Sequence, residues 1–596
     1  MKKIIIAMSL VCVVMGASWG APAVVKVVGK AGAWRLERNG KPYFIRGAGG
    51  GADKALLKKL GGNSFRTWGD GDIDEQLKIA AANDLTVMCG FWLGHVEHGF
   101  DWTNEAAKEE TRKGILATVR RVKDHPNLLC WALGNEMEMN NPHRKEMWAF
   151  VNEVAKEVKA IDPNHPVTTV VAEIPDATIE EFKTLVPNLD FFGINSYGGA
   201  ASLGERWRKA GMTRPYVITE YGARGSWEGP KTSWGLALEP TSTEKGAQFA
   251  AAYEKSIAGE RGKFCLGAYA FTWGWKVEST PTWHGMLLRD GSILASVQAV
   301  QAAWGVVKVG NRCPTTGEVK VSADDLKSAA EEVEASIEAK DADGDKLVYR
   351  WELLSDTGDY DTIGTGLALP EGWEGAIVAG QGTNKVRVKM PGGGVYLLYC
   401  TVMDGKGNAA YANRPIRVGG AVPKKELKAV AMPYAVYKDG VKGKWYPSGY
   451  MGHTRALKVN EVWREKAHSG VTCMKIDYLD HYGWAGIFWQ DPANDWGEKA
   501  GGANLSKAGM LVFWARGEKG GEKVSFFMGG LDKKAKYGDS AQAKRDNVIL
   551  KKEWTRYRIP LDGLDLSQIK TGFGFSLTCE SEPFTFYLDD IEYVAD

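Results

Sequence analysis

The chain has 596 residues, with 75 basic against 73 acidic side chains and a formal net charge of +2. That length sets an expectation of three to five domains, fewer if one is a barrel of about 250 residues. The balance of charge argues against a basic surface that would hold nucleic acid or an anionic membrane. Aromatic residues are abundant, with 23 Trp and 21 Tyr. Most Trp fills core, but flat aromatic faces also stack on the weakly apolar faces of sugar rings.

The N-terminus carries Lys2 and Lys3, an apolar run over 4–14 and the small-residue stretch Gly16-Ala-Ser-Trp-Gly20. This pattern predicts a secretory signal peptide over 1–20 and a secreted or periplasmic protein. The run is too short for a stable membrane span, and no other segment reaches about 18 uninterrupted apolar residues, so no membrane association is expected after cleavage. Cys12 lacks the small residue before it that a lipoprotein signal needs. Seven Cys follow, at 89, 130, 265, 313, 400, 473 and 579. The number is odd and no pair has metal spacing, so small buried hydrophobes are expected.

From 24 to 306 the chain alternates strand-like and helix-like runs. Strands are predicted at 43–47, 64–68, 86–92, 128–133, 167–172, 191–195, 216–219 and 265–272. Several are short and almost continuously apolar, as parallel strands buried on both faces are. Helices are predicted over 53–60, 74–83, 105–123, 145–161 and 243–259. Eight alternating units fit an α/β class (β/α)₈ TIM barrel. A doubly wound sheet would carry a glycine-rich phosphate loop after its first strand, and the glycines of 47–51 lack that spacing.

Near 311–314 the pattern turns to β. Residues 312–420 carry Asp341-Ala-Asp-Gly-Asp345, Tyr349-Arg-Trp-Glu352 and Thr401-Val-Met-Asp-Gly-Lys-Gly-Asn408, and resemble an immunoglobulin-like β-sandwich of the polycystic-kidney-disease type. Asp341, Asp343 and Asp345 suggest structural calcium, but without a closing Glu they read first as a solvated turn. A linker is expected over 421–428. Residues 429–596 are again β-rich, and Phe586-Tyr-Leu-Asp-Asp-Ile-Glu-Tyr593 resembles the last strand of jelly-roll carbohydrate-binding modules with the galactose-binding-like fold. Trp445, Tyr450, Trp484, Trp489 and Trp496 are candidates for a sugar platform there, each with core packing as the alternative.

Catalytic groups of a barrel lie just after the C-terminal ends of its strands. The fourth predicted strand is followed by Gly134-Asn135-Glu136, the seventh by Glu220-Tyr221-Gly222. Two carboxyl groups on opposite sides of one mouth are what glycoside hydrolysis with retention needs. One protonates the leaving oxygen, the other attacks the anomeric carbon, at a separation of about 5–5.5 Å.

Trp131-Ala-Leu-Gly-Asn-Glu136 and Val217-Ile-Thr-Glu-Tyr-Gly222 resemble the clan of retaining β-glycosidases that includes glycoside hydrolase families 2 and 5. The resemblance implies Glu136 as acid/base and Glu220 as nucleophile. It implies Arg66, in Asn63-Ser-Phe-Arg-Thr67, as a support for the nucleophile, and Tyr197, in Phe192-Gly-Ile-Asn-Ser-Tyr197, as its hydrogen-bond donor. It implies Trp273, in Phe271-Thr-Trp273, as the floor of the sugar site, and Asn135 as the ligand of the 2-hydroxyl. Family 2 chains usually carry their β domains before the barrel; here they follow it. The segment Trp34-Arg-Leu-Glu-Arg-Asn-Gly-Lys-Pro-Tyr-Phe-Ile-Arg-Gly47 also resembles the β-1,3-glucanosyltransferases of family 72.

Trp68, Trp92, His95, Trp275 and His284 fall at or beyond strand ends, where sugar contact competes with packing. His95 and His98 flank Glu97, but two His without a third ligand do not make a metal site. The expectation is a monomeric, cofactor-free hydrolase of a β-linked polysaccharide or oligosaccharide, with β-glucan favoured. A transglycosylase using the same two Glu and an inert glycan-binding protein are the alternatives.

Overall fold

The computed structural model describes residues 21–595 apart from 359, 361–368, 421–426, 439–440, 443–444, 499, 533–534, 536 and 580. The expected signal peptide and most of the expected linker lie outside the described residues. The chain divides into two compact units, Met1–Val422 and Pro423–Asp596.

At the centre of the first unit are eight parallel strands: β1 (Ile45–Gly49), β2 (Ser64–Arg66), β3 (Thr86–Phe91), β4 (Leu128–Leu133), β5 (Val167–Thr168 and Val170–Ala172), β6 (Phe192–Asn195), β7 (Tyr216–Tyr221) and β8 (Cys265–Phe271). Pairing runs from the first segment of β5 through β4, β3, β2, β1, β8, β7 and β6 to its second segment, so the sheet closes into a barrel. All residues of β3, β4 and β7 are buried, which explains their unbroken apolar runs. Helices wrap the outside through apolar stripes. Arg144–Ile161 buries Met147, Val151, Val154 and Val158 along one side. The run expected as one helix over 243–259 is an α-helix, Ser242–Ala252, continued by a π-helical turn, Tyr253–Ala258. Thr241 and Glu244 form a reciprocal capping box at its start.

β1 begins later than expected because Lys41–Tyr43 pairs antiparallel with Arg35–Arg38, which pairs in turn with Val25–Val28. These three strands close the N-terminal end of the barrel. Ala23, Val25 and Leu36 pack there against Met88, Leu129, Val170, Val217 and Tyr269. Gly47 is required at this level, since a Cβ would lie 2.3 Å from the Tyr269 ring. With the base sealed, the C-terminal strand ends form the mouth.

The second domain packs two four-stranded sheets around Trp351, Leu353, Val333, Val388, Leu398 and Ile416. Asp341 and Asp345 converge there with Asp404, one carboxylate oxygen of each lying within 4.8 Å of the others. Asp343 does not join them; it pairs with Arg312 at 2.7 Å. The second unit is a sandwich of a seven-stranded and a five-stranded sheet with Phe513, Phe526, Phe573, Phe575 and Phe586 in its core. Cys89, Cys130, Cys265, Cys313, Cys400, Cys473 and Cys579 are all buried and free. No helix among the described residues is long and apolar enough to cross a membrane.

Candidate active site

Glu220 is the fifth residue of β7 and points into the mouth, with its side chain 7% exposed. Its Oε1 accepts from the Trp68 indole N–H at 2.8 Å and from Arg66 Nη1 at 3.2 Å. Its Oε2 accepts from the Tyr197 hydroxyl at 2.5 Å. Burial foremost, and the nearby Glu220 charge, push the Tyr197 phenol well above its ordinary value, so it stays a donor. Arg66 is held from several sides: Nη1 also donates to Thr219 O at 3.0 Å, and Nη2 donates to Asn135 Oδ1 at 2.9 Å. Its guanidinium lies over the Trp68 ring, 4.7 Å from the centroid. Gly49 leaves room for that ring, since a Cβ there would lie 2.8 Å from it.

Glu136 sits in the turn that leaves β4. Its φ is +54°, the left-handed region, which costs a non-glycine residue about 1–2 kcal/mol. The preceding turn also needs glycine: Gly134 has φ +79°, and a Cβ there would meet Met137 Sδ at 2.1 Å. The Glu136 N–H donates to Val170 O at 2.9 Å, which ties the turn to β5. Its Oε1 accepts from Asn195 Nδ2 at 2.8 Å. Burial first, then the Glu220 charge, push the Glu136 carboxyl up to about 8, which favours its protonated form. Glu138, whose Oε1 accepts the Ala172 N–H at 2.7 Å, is pushed up to about 7, chiefly by burial.

Asn195 joins the two carboxyl groups. Besides binding Glu136, its Nδ2 donates to Asn135 Oδ1 at 3.2 Å, and its Oδ1 accepts from Thr219 Oγ1 at 2.8 Å and Arg66 Nη1 at 3.3 Å. Sequence reasoning did not single it out. The signal was present, because Asn195 is a polar residue ending the buried strand β6.

Arg66, Trp68, Asn135, Glu136, Tyr197 and Glu220 therefore meet in one network. Trp273 does not belong to it. Its side chain is fully buried and its indole N–H donates to Asp53 O at 3.0 Å, so no face is free for a sugar. The aromatic wall comes from Phe271, the last residue of β8, whose ring lies 5.8 Å from Trp68, 6.1 Å from Tyr197 and 5.9 Å from His284. Burial pushes the His284 imidazole down to about 4, which keeps it neutral. Trp227, 55% exposed and edge-on to Tyr197 at 6.0 Å, extends this wall and was not foreseen. Across the barrel, beyond β3, Trp92 is 48% exposed and stacks on His95 at 4.8 Å.

Residues 51–231 match the family model described as glycosyl hydrolases family 2, TIM barrel domain. Residues 433–595 match carbohydrate binding domain 30. A β-glucuronidase of Paenibacillus borealis is 26% identical over 218 residues, 31% of this chain and 36% of its own. Mannan endo-1,4-β-mannosidase F of Aspergillus clavatus is 34% identical over 68 residues, 11% of this chain and 16% of its own. The chain thus spans about a third or less of the length of these curated relatives. Bacteroides uniformis β-glucuronidase 2 aligns in structure over 96% of this chain and 67% of its own, with 12% identity and a TM-score of 0.38.

Proposed function

We propose that this chain, which carries a family 2 glycosyl hydrolase TIM-barrel domain and a family 30 carbohydrate-binding domain, is a secreted retaining β-glycosidase acting on a neutral β-linked glucan. The supporting observation is a pair of carboxyl groups in contrasting environments within one hydrogen-bond network. Glu220 faces three donors, while burial and the Glu220 charge favour the protonated form of Glu136. Glu136 donates its proton to the glycosidic oxygen as Glu220 attacks the anomeric carbon; Glu136 then takes a proton from the water that releases the sugar. Arg66, Trp68 and Tyr197 aim the nucleophile. Asn135 uses its carbonyl oxygen on Arg66 and Asn195, which leaves its Nδ2 for the 2-hydroxyl.

The first-formed sugar, followed by proton NMR from a β-linked substrate, is expected to be the β-anomer; an initial α-anomer excludes double displacement. Because the acid must be protonated, kcat/KM is expected to fall as pH rises through about 8. A pH-rate profile flat to pH 10 would remove Glu136 from the acid role.

The charges near the site favour a neutral sugar. Arg66 is engaged by Asn135, Asn195, Thr219 and Glu220, and Lys276 Nζ lies 2.6 Å from Glu278. Aryl β-glucoside is expected to be cleaved faster than aryl β-glucuronide, and the reverse order would overturn this preference. Export is supported by the basic and apolar pattern of residues 1–20.

In the C-terminal domain, Trp445 and Trp489 are core, each 1% exposed, whereas Trp484, Trp496 and Tyr450 are 51%, 47% and 43% exposed. Ala485, Ile487 and Trp489 of one strand face inward, while Phe488 contacts Trp496 at 5.8 Å on the other side. Trp484→Ala and Trp496→Ala are each expected to weaken adsorption of the full chain to insoluble β-glucan about tenfold. Unchanged adsorption isotherms for both would rule out this platform.

A further inference from the structure

We propose that the second domain is part of the active-site architecture: its Tyr411 and Thr357 are positioning residues that hold the two barrel loops walling the sugar site. This rests on the reading of Glu136 and Glu220 above.

The loop after β7 carries Trp227, and the loop after β8 carries His284, whose ring lies 5.2 Å from that of Tyr197. Tyr197 in turn holds Glu220. Between β7 and the helix Ser242–Ala252 the chain forms only an isolated bridge, Lys231 to Ala237. A loop of that length without its own regular structure needs outside contacts to stay in one conformation.

Those contacts come from the β-sandwich. Glu239, in the first loop, and Lys245, in the following helix, form an ion pair at 2.5 Å with side chains 1% and 4% exposed. Lys245 Nζ also donates to Thr282 O at 3.0 Å and Trp283 O at 2.7 Å, in the second loop. Tyr411 Oη accepts from Lys245 at 2.7 Å and lies 2.9 Å from Thr282 O and 3.0 Å from Glu239 Oε1. Asn413 Nδ2 donates to Glu239 Oε2 at 2.6 Å. A second contact lies nearer the mouth. Thr357 Oγ1 donates to Ser279 O at 2.6 Å, Ser226 Oγ donates to Tyr360 O at 3.3 Å, and the Ser226 and Ser279 hydroxyls are 3.1 Å apart. Ser279 is buried and has φ +58°, a conformation that persists where surrounding contacts fix it. One β-sandwich thus grips both loops at two separate places.

The test uses full-length Thr357→Val and Tyr411→Phe, which alter different contacts and keep side-chain shape. Active sites are counted by covalent trapping with a 2-deoxy-2-fluoro glycosyl fluoride, and kcat is expressed per trapped site. A role in stability alone would lower the number of sites and leave kcat per site unchanged. Positioning predicts kcat per site lower by about tenfold or more, with faster hydrogen exchange in 222–241 and 272–284. A kcat per site within about twofold of wild type in both variants overturns the proposal, whether or not exchange changes. If instead Glu220→Ala keeps full turnover, the catalytic reading has failed. Exchange in the two loops then decides whether the clamp exists: unchanged exchange overturns it, and faster exchange supports it.

Discussion

Glu220→Ala is expected to lower kcat by about four orders of magnitude or more, as loss of a nucleophile does in other covalent mechanisms. Without the carboxylate, Trp68, Arg66 and Tyr197 are left aimed at an empty position and no glycosyl-enzyme forms. Glu136→Ala separates the two half-reactions. With a poor leaving group its rate should fall about 10²–10⁴-fold, the usual contribution of a general acid. With an activated aryl leaving group the first step needs no proton and the intermediate accumulates. Azide then attacks from the face Glu136 vacated and gives the β-glycosyl azide. An α-azide from this variant would exchange the two roles, and near-wild-type turnover of Glu220→Ala would dismiss Glu220 as nucleophile.

Lys245→Met is expected to destabilise the first unit by about 3–5 kcal/mol, because it strands the buried Glu239 carboxylate without its counter-charge. Burial, the largest influence, raises the Glu239 carboxyl, but the Lys245 ammonium together with the Thr280 and Thr282 hydroxyls that donate to it hold it below the usual carboxylate range. A depressed folded-state value contributes stability that is present above the unfolded value of about 4.3 and is lost as pH falls through the folded one. The wild-type chain should therefore lose this contribution in acid, and Lys245→Met should lack it already at pH 7. Urea unfolding at pH 7 measures the difference as a lower midpoint with the same slope. A shift below about 1 kcal/mol would show that the pair is no stronger than a surface one.

The barrel was legible because its strands are buried on both faces, and two-sided burial writes continuous apolar runs such as Leu128–Leu133. The positions of Glu136 and Glu220 followed from the same property, since a carboxylate directly after such a run can only lie at the mouth. Arg66 and Tyr197 were legible through the resemblance of their motifs and Trp68 only as an aromatic at a strand end, and the structure joins all three to Glu220. Trp273 was misplaced because its role rested on the resemblance of Phe271-Thr-Trp273 alone. Two residues past a strand end the pattern does not fix where a side chain points: Trp68 and Tyr197, so placed after β2 and β6, turn onto Glu220, whereas Trp273 turns its indole onto Asp53. Asn195 went unremarked because a short amide reads as a strand terminator until its partners are seen.

By itself, then, the sequence determined the strand and helix periods and which polar groups end buried strands, because local burial imposes those patterns on neighbouring residues. Tertiary structure alone decided what lies opposite what. Glu239 and Lys245 lie close together in the chain but far from Tyr411, and all three look like ordinary surface or strand residues. The folded chain brings the β-sandwich and the two barrel loops together around them and makes them one buried, charged, hydrogen-bonded core.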